Sequence, residues 1–499
     1  MLRQFTKNLT TNWAVYLLAA LLSFFLTPYI IARIGQAAFG VWVLVGSFSG
    51  YLGLFDFGIG FAVVRYVARY QKTGDVERRN EVVATAFYIG TLLAVLVLAA
   101  TVVLMINADR WFDIPTELIG HSRMAILLVG LSIAIGFPLS IFSEALAGGL
   151  FRFDLFNTVS MLIALFRAGL TVLLIEADLG LVGLGTAALV GSLAGYLWRM
   201  AILFRHLPDL SLHPRLVSRA VLHKIGNYSL FSFLLVLSGR LAFYTDSFVV
   251  GFFRGIEDVA VFGIAAKLVE YLRQLVFTMS KLFTPVASRY DPEADQASLR
   301  RIFYDGSRLN ILFSLPISLV LFFWGGNFIH LWVGGRFDSA APILQVLLIG
   351  HVLSFMQGIG GDILLGVGRH RLLAILSLIA AVINLALSTI LIKFVGLVGV
   401  AWGTTIPLAL LSVCYLPIAS LRLVGGRMGE FWREVLRPVL IVSTIPGSLV
   451  IILSGHVTTL PTLAAGLAVI AAVYLPSAYW LGLTPVEREK ARSLWKPKG

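Results

Sequence analysis

The sequence predicts an all-α integral membrane protein of about fourteen transmembrane helices, with two six-helix lobes and two further helices. Three observations predict this class. Hydrophobic residues make up 58% of 499 and charged residues only 13%, whereas soluble domains run at about 45–50% apolar and about 25% charged. Apolar runs of spanning length recur along the whole chain, and mean hydropathy is +0.90. The first half also repeats in the second.

A span needs about 20 apolar residues. The runs that meet this are 12–33, 39–64, 82–106, 123–147, 157–177, 183–204, 225–251, 259–287, 303–324, 341–365, 372–394, 399–421, 437–455 and 461–482. The first is too long for a signal peptide and lacks a small-residue cleavage site. It is expected to stay as the first helix. Fourteen spans place both termini on one side. If that side is cytoplasmic, 28 of the 39 Lys and Arg residues fall in cytoplasmic segments and 5 on the opposite side. This bias is the positive-inside signature, and it accounts for most of the net charge of +13. The basic balance therefore implies topology and anionic lipid contact, not nucleic acid.

The repeat runs from Ser160–Ile175 to Ser377–Ile392 at an offset of 217, which pairs Ser160 with Ser377, Arg167 with Asn384 and Thr171 with Ser388. Gly180–Gly183 and Gly396–Gly399 share the tetrapeptide GLVG at offset 216. Arg152 matches Arg369, and Glu144 and Asp362 precede them at similar positions. A repeat covering six spans gives both halves the same topology, hence parallel repeats about an axis along the membrane normal. The expected organisation is an N-terminal lobe at 1–205, a second lobe at 206–423, and two added helices with a basic tail at 424–499.

Polar residues inside the spans are the functional candidates. Ser160, Arg167 and Thr171 share one helical face, repeated as Ser377, Asn384 and Ser388. Lys267, Glu270, Tyr271, Gln274, Thr278 and Lys281 form a stripe four turns long. Ser229, Ser232, Arg240, Tyr244 and Ser247 share another face, as do Asn12, Tyr16, Ser23 and Thr27. A Lys or Arg at the bilayer centre costs about 2.5–3.5 kcal/mol on the insertion scale. Several of them imply a polar interior that holds something negative. Arg167, Arg240, Lys267, Arg273, Tyr244, Gln274 and Asn384 are the expected substrate-binding residues. The bland alternative is helix–helix contact, including an ion pair of Lys267 with Glu270 one turn away. Asp56, Glu144, Asp246, Glu270 and Asp362 are candidates for ion coupling or for pairing with these cations.

Asp56-Phe57-Gly58-Ile59-Gly60 interrupts the second span and predicts a loosened helix there. Prolines 28, 138, 285, 316, 407 and 417 offer further kinks. A P-loop, an H-E-x-x-H pair and a nucleophile elbow are all missing from the sequence. The single Cys414 allows no intramolecular disulfide and no thiolate metal cluster. No cofactor and no enzymatic activity are expected.

Gly53 to Gly60 followed by Val64-Arg65-Tyr66 resembles the second-helix signature of bacterial polysaccharide-export flippases. The Gly35…Phe39-Gly40 turn and the two GLVG turns are similar too. These features resemble the Wzx-type O-antigen and exopolysaccharide flippases of the multidrug/oligosaccharidyl-lipid/polysaccharide exporter superfamily. The resemblance implies a central cavity, alternating access, and movement of a polyprenyl-pyrophosphate-linked oligosaccharide to the outer leaflet of the bacterial inner membrane. It implies membrane lipids and other polysaccharide-assembly proteins as neighbours. A cationic cavity suits a diphosphate, because Arg forks and Lys point charges pair with phosphate oxygens. Lipid II transport and cation-coupled drug antiport, within the same superfamily, remain the alternatives, and a membrane glycan polymerase or ligase is a more distant one.

Overall fold

A computed structural model describes residues 2–280, 283–291, 293–369, 371–485 and 487–489, with side chains for all of these except 2–10, 224–236, 242 and 285. Lys281, the side chains of Ser229 and Ser232, and that of Pro285 therefore lie outside the described residues. Helices dominate, and no strand occurs among the described residues.

The chain divides into two compact units, residues 1–260 and 261–499. Unit 1 holds α1 (Leu2–Leu52), α2 (Ile59–Thr73), α3 (Val76–Trp111), α4 (Ile119–Glu144), α5 (Phe153–Glu176), α6 (Gly180–His206) and α7 (Arg219–Arg254). Unit 2 begins within α8 (Ile256–Ser280). It continues with α9 (Gln296–Val333), α10 (Ala340–Gly366), α11 (Arg371–Val395), α12 (Leu397–Leu410), α13 (Leu416–Val424), α14 (Arg437–Leu453) and α15 (Leu460–Ser477).

By length and composition, eleven helical stretches among the described residues can cross a membrane. The first, Thr11–Asp56, has 46 residues. At 1.5 Å per residue it is roughly 69 Å long, about twice a bilayer core. Its backbone leaves the helix at Gly35, where φ is 83° and ψ is 170°. That conformation suits glycine, and it divides the stretch into two crossings. α8 is long enough but carries Lys267, Glu270 and Arg273 in its middle, and α7, at 36 residues, is long enough but includes side chains outside the described residues. With the divided first stretch and these two helices, the count returns to fourteen.

The repeat reappears as a packing contact. A Cβ on Gly183 would lie 3.0 Å from Leu174 Cβ, and a Cβ on Gly399 would lie 3.0 Å from Leu391 Cβ. Leu174 and Leu391 stand 217 residues apart, so the same close approach of neighbouring helices recurs in each half.

Unit 1 is built around buried residues of α2, α3, α4 and α6, including Val63, Val83, Phe142 and Leu203. The connection after α6 is clamped onto α3. Asn80 donates to the Asp209 carbonyl at 2.7 Å, Arg79 pairs with the Asp209 carboxylate at 2.8 Å, and Tyr88 donates to the Leu212 carbonyl at 3.1 Å.

Unit 2 packs α9, α10, α13 and α14 around Phe303, Ile359, Phe431 and Val439. Polar bonds fasten α14 and α15 to α9. The indole N–H of Trp324 donates to the Val450 carbonyl at 2.7 Å, and Asn327 donates to the Val457 carbonyl at 2.6 Å. The hydroxyl of Tyr474 donates to the Leu312 carbonyl. Buried Arg308 pairs with Glu487 at 2.7 Å and Asp305 at 2.9 Å.

Candidate substrate-binding residues in the two units

In unit 1 the site grows from the broken second span. α1 stops at Leu52 and a 3-10 turn follows at Gly53–Asp56. Phe57 and Gly58 are then left-handed, with φ of 46° and 77°. Phe57 in that region costs about 1–2 kcal/mol, a cost the turn's packing must cover. The expected interruption is therefore present. It gives Asp56 its role, because its carboxylate accepts the backbone N–H groups of Gly58 and Gly60 at the start of α2.

α7 docks onto this break. The guanidinium of Arg240 donates to the Gly50 carbonyl at 2.8 Å, in the last helical turn, where carbonyls lack helical partners. Gly53 lies directly against the guanidinium, since a Cβ there would be 2.8 Å from Arg240 Nη1. Tyr244, one turn further along α7, lies over Gly50, whose Cβ would fall 2.2 Å from its ring. Asp56 lies in the field of Arg240. Asp246 is buried beside the hydroxyl pair of Tyr51 and Thr245.

α4 brings in Glu144. Its helix ends in a π turn at Ala145–Gly149, a feature frequent at functional sites. Gly148 and Gly149 lie against Val64 and Val67 of α2, where added Cβ atoms would clash at 2.4 Å and 2.6 Å. This close packing sets Glu144 against Gly60, within electrostatic range of Asp56.

Arg199 is one of the 28 Lys and Arg residues that the charge bias assigns to the cytoplasmic side, but α6 carries it two turns inside its own end. Its guanidinium lies 4.4 Å from the ring centroid of Phe156 and donates to Ser160 Oγ at 2.8 Å. Glu144 and Tyr196 are within its electrostatic range. It has no ion pair among the described residues, and its buried Nε–H has no hydrogen-bond partner. The available sequence signal was position: Arg199 follows Gly191 and Gly195 at four-residue spacing, on one helical face.

Arg167 lies mid-way along α5 and is exposed. Its stem packs on Gly191 of α6, where an added Cβ would be 3.3 Å away. It has neither hydrogen bond nor ion pair among the described residues. The small polar residues of the stripes behave differently. Thr27, Ser160 and Thr278 each donate to the carbonyl four residues back on their own helix, which is ordinary intrahelical bonding.

In unit 2 the α8 stripe is partly self-compensated. Arg273 Nε and Nη2 reach the two Glu270 oxygens at 2.6 Å and 2.8 Å, and Gln274 donates to Glu270 at 2.7 Å. The ion-pair partner found for Glu270 is thus Arg273, whose fork reaches both carboxylate oxygens from one turn away. Half-buried Lys267 precedes this pair on α8. His351 of α10 lies within electrostatic range of Glu270 and Arg273. Asp362 accepts from Thr284 at 3.2 Å. Asn384 is buried and donates to Thr404 at 2.8 Å. No group of three His, Cys, Asp or Glu residues able to hold a metal occurs among the described residues.

The structure thus brings together Arg240, Tyr244, Asp56 and Glu144 in unit 1, and Glu270, Arg273 and Gln274 in unit 2. Arg167 and Asn384 lie in other helix contacts, α5 with α6 and α11 with α12, Asp246 lies beside Tyr51 and Thr245, and Asp362 accepts from Thr284.

Fourteen apolar crossings, an internal repeat and charges placed within the spans define a multi-pass membrane transporter. Residues 5–291 match the family described as Polysaccharide biosynthesis protein, and residues 229–390 match MatE. The chain belongs to the polysaccharide biosynthesis protein family, within the multidrug/oligosaccharidyl-lipid/polysaccharide exporter superfamily. It is 25% identical over 455 residues to the Bacillus subtilis "Uncharacterized membrane protein EpsK", covering 87% of each chain. It is 22% identical to the Shigella flexneri "Putative O-antigen transporter", covering 79% of this chain and 93% of the relative. Its fold matches the inward closed structure of the lipid II flippase MurJ with a TM-score of 0.70 at 14% identity, over 98% of this chain and 99% of the other. An inward-facing MATE family multidrug transporter matches with a TM-score of 0.68 at 18% identity, over 82% and 94%.

Proposed function

We propose that this protein is a non-enzymatic flippase. It moves a polyprenyl-pyrophosphate-linked oligosaccharide from the cytoplasmic to the outer leaflet of the bacterial inner membrane, by alternating access, during cell-surface polysaccharide assembly. Both termini are cytoplasmic in this reading, as the distribution of Lys and Arg favours. The moving parts are six-helix lobes at 1–205 and 206–423, with 424–499 added to the second. Arg167 is the observation that carries the reading. An exposed arginine in mid-span, with no partner among the described residues, calls for an anion from outside the protein. A diphosphate supplies that anion. Arg240 and Lys267 assist, and Tyr244, Gln274 and Asn384 offer hydrogen bonds to the glycan. The relatives named for O-antigen transport and lipid II flipping support the substrate class.

The test is translocation of a lipid-linked oligosaccharide by purified protein in liposomes. Transport by wild type, with loss in Arg167→Ala, Arg240→Ala and Lys267→Ala combined, is expected. Full activity in that triple variant would remove these cations from the mechanism. The same vesicles loaded with lipid II test that carrier directly. The adjacent carboxylates of Asp56 and Glu144 favour one second reading, cation-coupled drug export, for which raised drug tolerance in expressing cells is the readout.

A further inference from the structure

We infer that Arg199 and Arg167 are two successive anion stations along the groove between α5 and α6, and that Arg199 is the first one a diphosphate headgroup meets. This rests on the diphosphate-carrier reading and on its orientation.

Both arginines border the same groove. Arg167 stands on α5 against Gly191, and Arg199 reaches from α6 to Ser160, seven residues before Arg167. At 1.5 Å per residue the two stations are about 10 Å apart along α5, so one headgroup occupies them in turn. The floor of the groove has no side chains at Gly191 and Gly195. A Cβ on Gly195 would lie 3.5 Å from Arg199 Nη1 and 3.5 Å from Ile163. Ser160 is nearer than Arg167 to the Arg152–His206 contact (3.1 Å) at the end of α6, the cytoplasmic end in the proposed orientation.

Arg199 rests in a pose that is easy to leave. Among the described residues its one hydrogen bond goes to Ser160, its buried Nε–H is unpaired, and Glu144 compensates its charge from beyond ion-pair distance. A buried donor without a partner is costly. Swinging off Ser160 toward a phosphate oxygen exchanges a hydrogen bond to a neutral hydroxyl for one to an anion and pairs the Nε–H as well. Arg167 has no bond to give up among the described residues, so it accepts the headgroup next without competition.

The experiment uses the full chain in nanodiscs, with inorganic pyrophosphate and farnesyl pyrophosphate as binding probes, and in liposomes for translocation. Arg199→Gln is expected to weaken binding of both probes at least tenfold and to raise the half-saturating concentration for transport. Arg199→Lys should recover part of that loss. Arg167→Gln is expected to lower the maximal transport rate at saturating substrate at least tenfold. Wild-type binding by Arg199→Gln would overturn the station, and exchanged effects of the two variants would overturn the order. If Arg199→Gln does not fold, Gly195→Leu, which crowds the guanidinium, should weaken binding in the same way, and unchanged binding there overturns the proposal. If wild type binds neither probe and moves no diphosphate-linked lipid, the flippase reading itself fails.

Discussion

The α5–α6 pair and its repeat, the pair formed by α11 with α12, use one register for opposite ends. In the second pair the polar face closes on itself. Asn384 is bonded to Thr404, Ser388 donates to the Val400 carbonyl at 3.3 Å, and both Asn384 and Ser388 are buried. Gly403 lets the helices meet so closely that an added Cβ would fall 2.2 Å from Ser388 Oγ and 2.6 Å from its backbone nitrogen. In the first pair, Arg167 occupies the position of Asn384, and its contact with Gly191 is looser, at 3.3 Å. Thr171 remains buried there, but the arginine above it is exposed. One copy buries its polar residues between the helices, with the Asn384 amide N–H bonded and its side-chain oxygen unbonded among the described residues, and the other leaves a cation open to a ligand. The repeat keeps the shape, and the substituted position carries the difference in chemistry.

Four measurements would break or sharpen this contrast. The largest effect is expected from Arg167→Gln in the liposome assay. Loss of a charge-assisted contact worth about 1.5–3 kcal/mol corresponds to a roughly 10- to 100-fold fall in transport. Its melting temperature in detergent should stay near wild type, because Arg167 has no described polar bond to lose. Equal damage to stability and transport would place Arg167 in packing.

Next is Gly403→Ala, which forces a methyl group into the backbone and hydroxyl of Ser388. It should destabilise unit 2 by about 1–3 kcal/mol, seen as a lower melting temperature. Gly191→Ala, with its looser contact, should cost clearly less. Equal losses would remove the distinction between a closed and an open groove.

Asn384→Leu should cost about 1–2 kcal/mol by removing a buried hydrogen bond. Transport measured per folded molecule should fall less than in Arg167→Gln, and a greater fall would assign substrate contact to both copies. The smallest effect belongs to the α8 pair. A double-mutant cycle of Arg273→Ala and Glu270→Ala should give a coupling energy of about 0.5–1 kcal/mol, because Arg273 is 39% exposed and solvent screens it. Coupling several times larger would show that α8 depends on this pair for its place.

Most of the fold could be read from apolar length, because a spanning helix must bury nearly every residue in lipid or protein. The Gly58 break was legible because two glycines, Gly58 and Gly60, fall within three residues of chain just after Asp56. The end of the first crossing was legible too, since the gap between the apolar runs 12–33 and 39–64 falls where the backbone leaves the helix at Gly35. Within the site, Arg240 and Tyr244 share a helical face at four-residue spacing, so their joint docking on α1 was within reach. Arg199 was hidden, because a cation near the end of a span reads as a topology signal. The pairing of Glu270 with Arg273 depended on the reach of a guanidinium fork, which spacing alone cannot rank against a lysine equally three residues away.

The bonds that fasten α14 and α15 to α9 also bear on how the chain is made. Leu312 and Tyr474 are 162 residues apart. At about 5–20 residues per second, synthesis separates them by roughly 8–32 s. During that interval the indole of Trp324 and the amide of Asn327 are already inserted while their acceptors are still unmade. α9 therefore enters the membrane as an unfinished surface whose donors need a stand-in, such as lipid headgroups, water or an insertion factor, until α14 and α15 arrive. Completion of unit 2 thus waits on synthesis of residues 437–477.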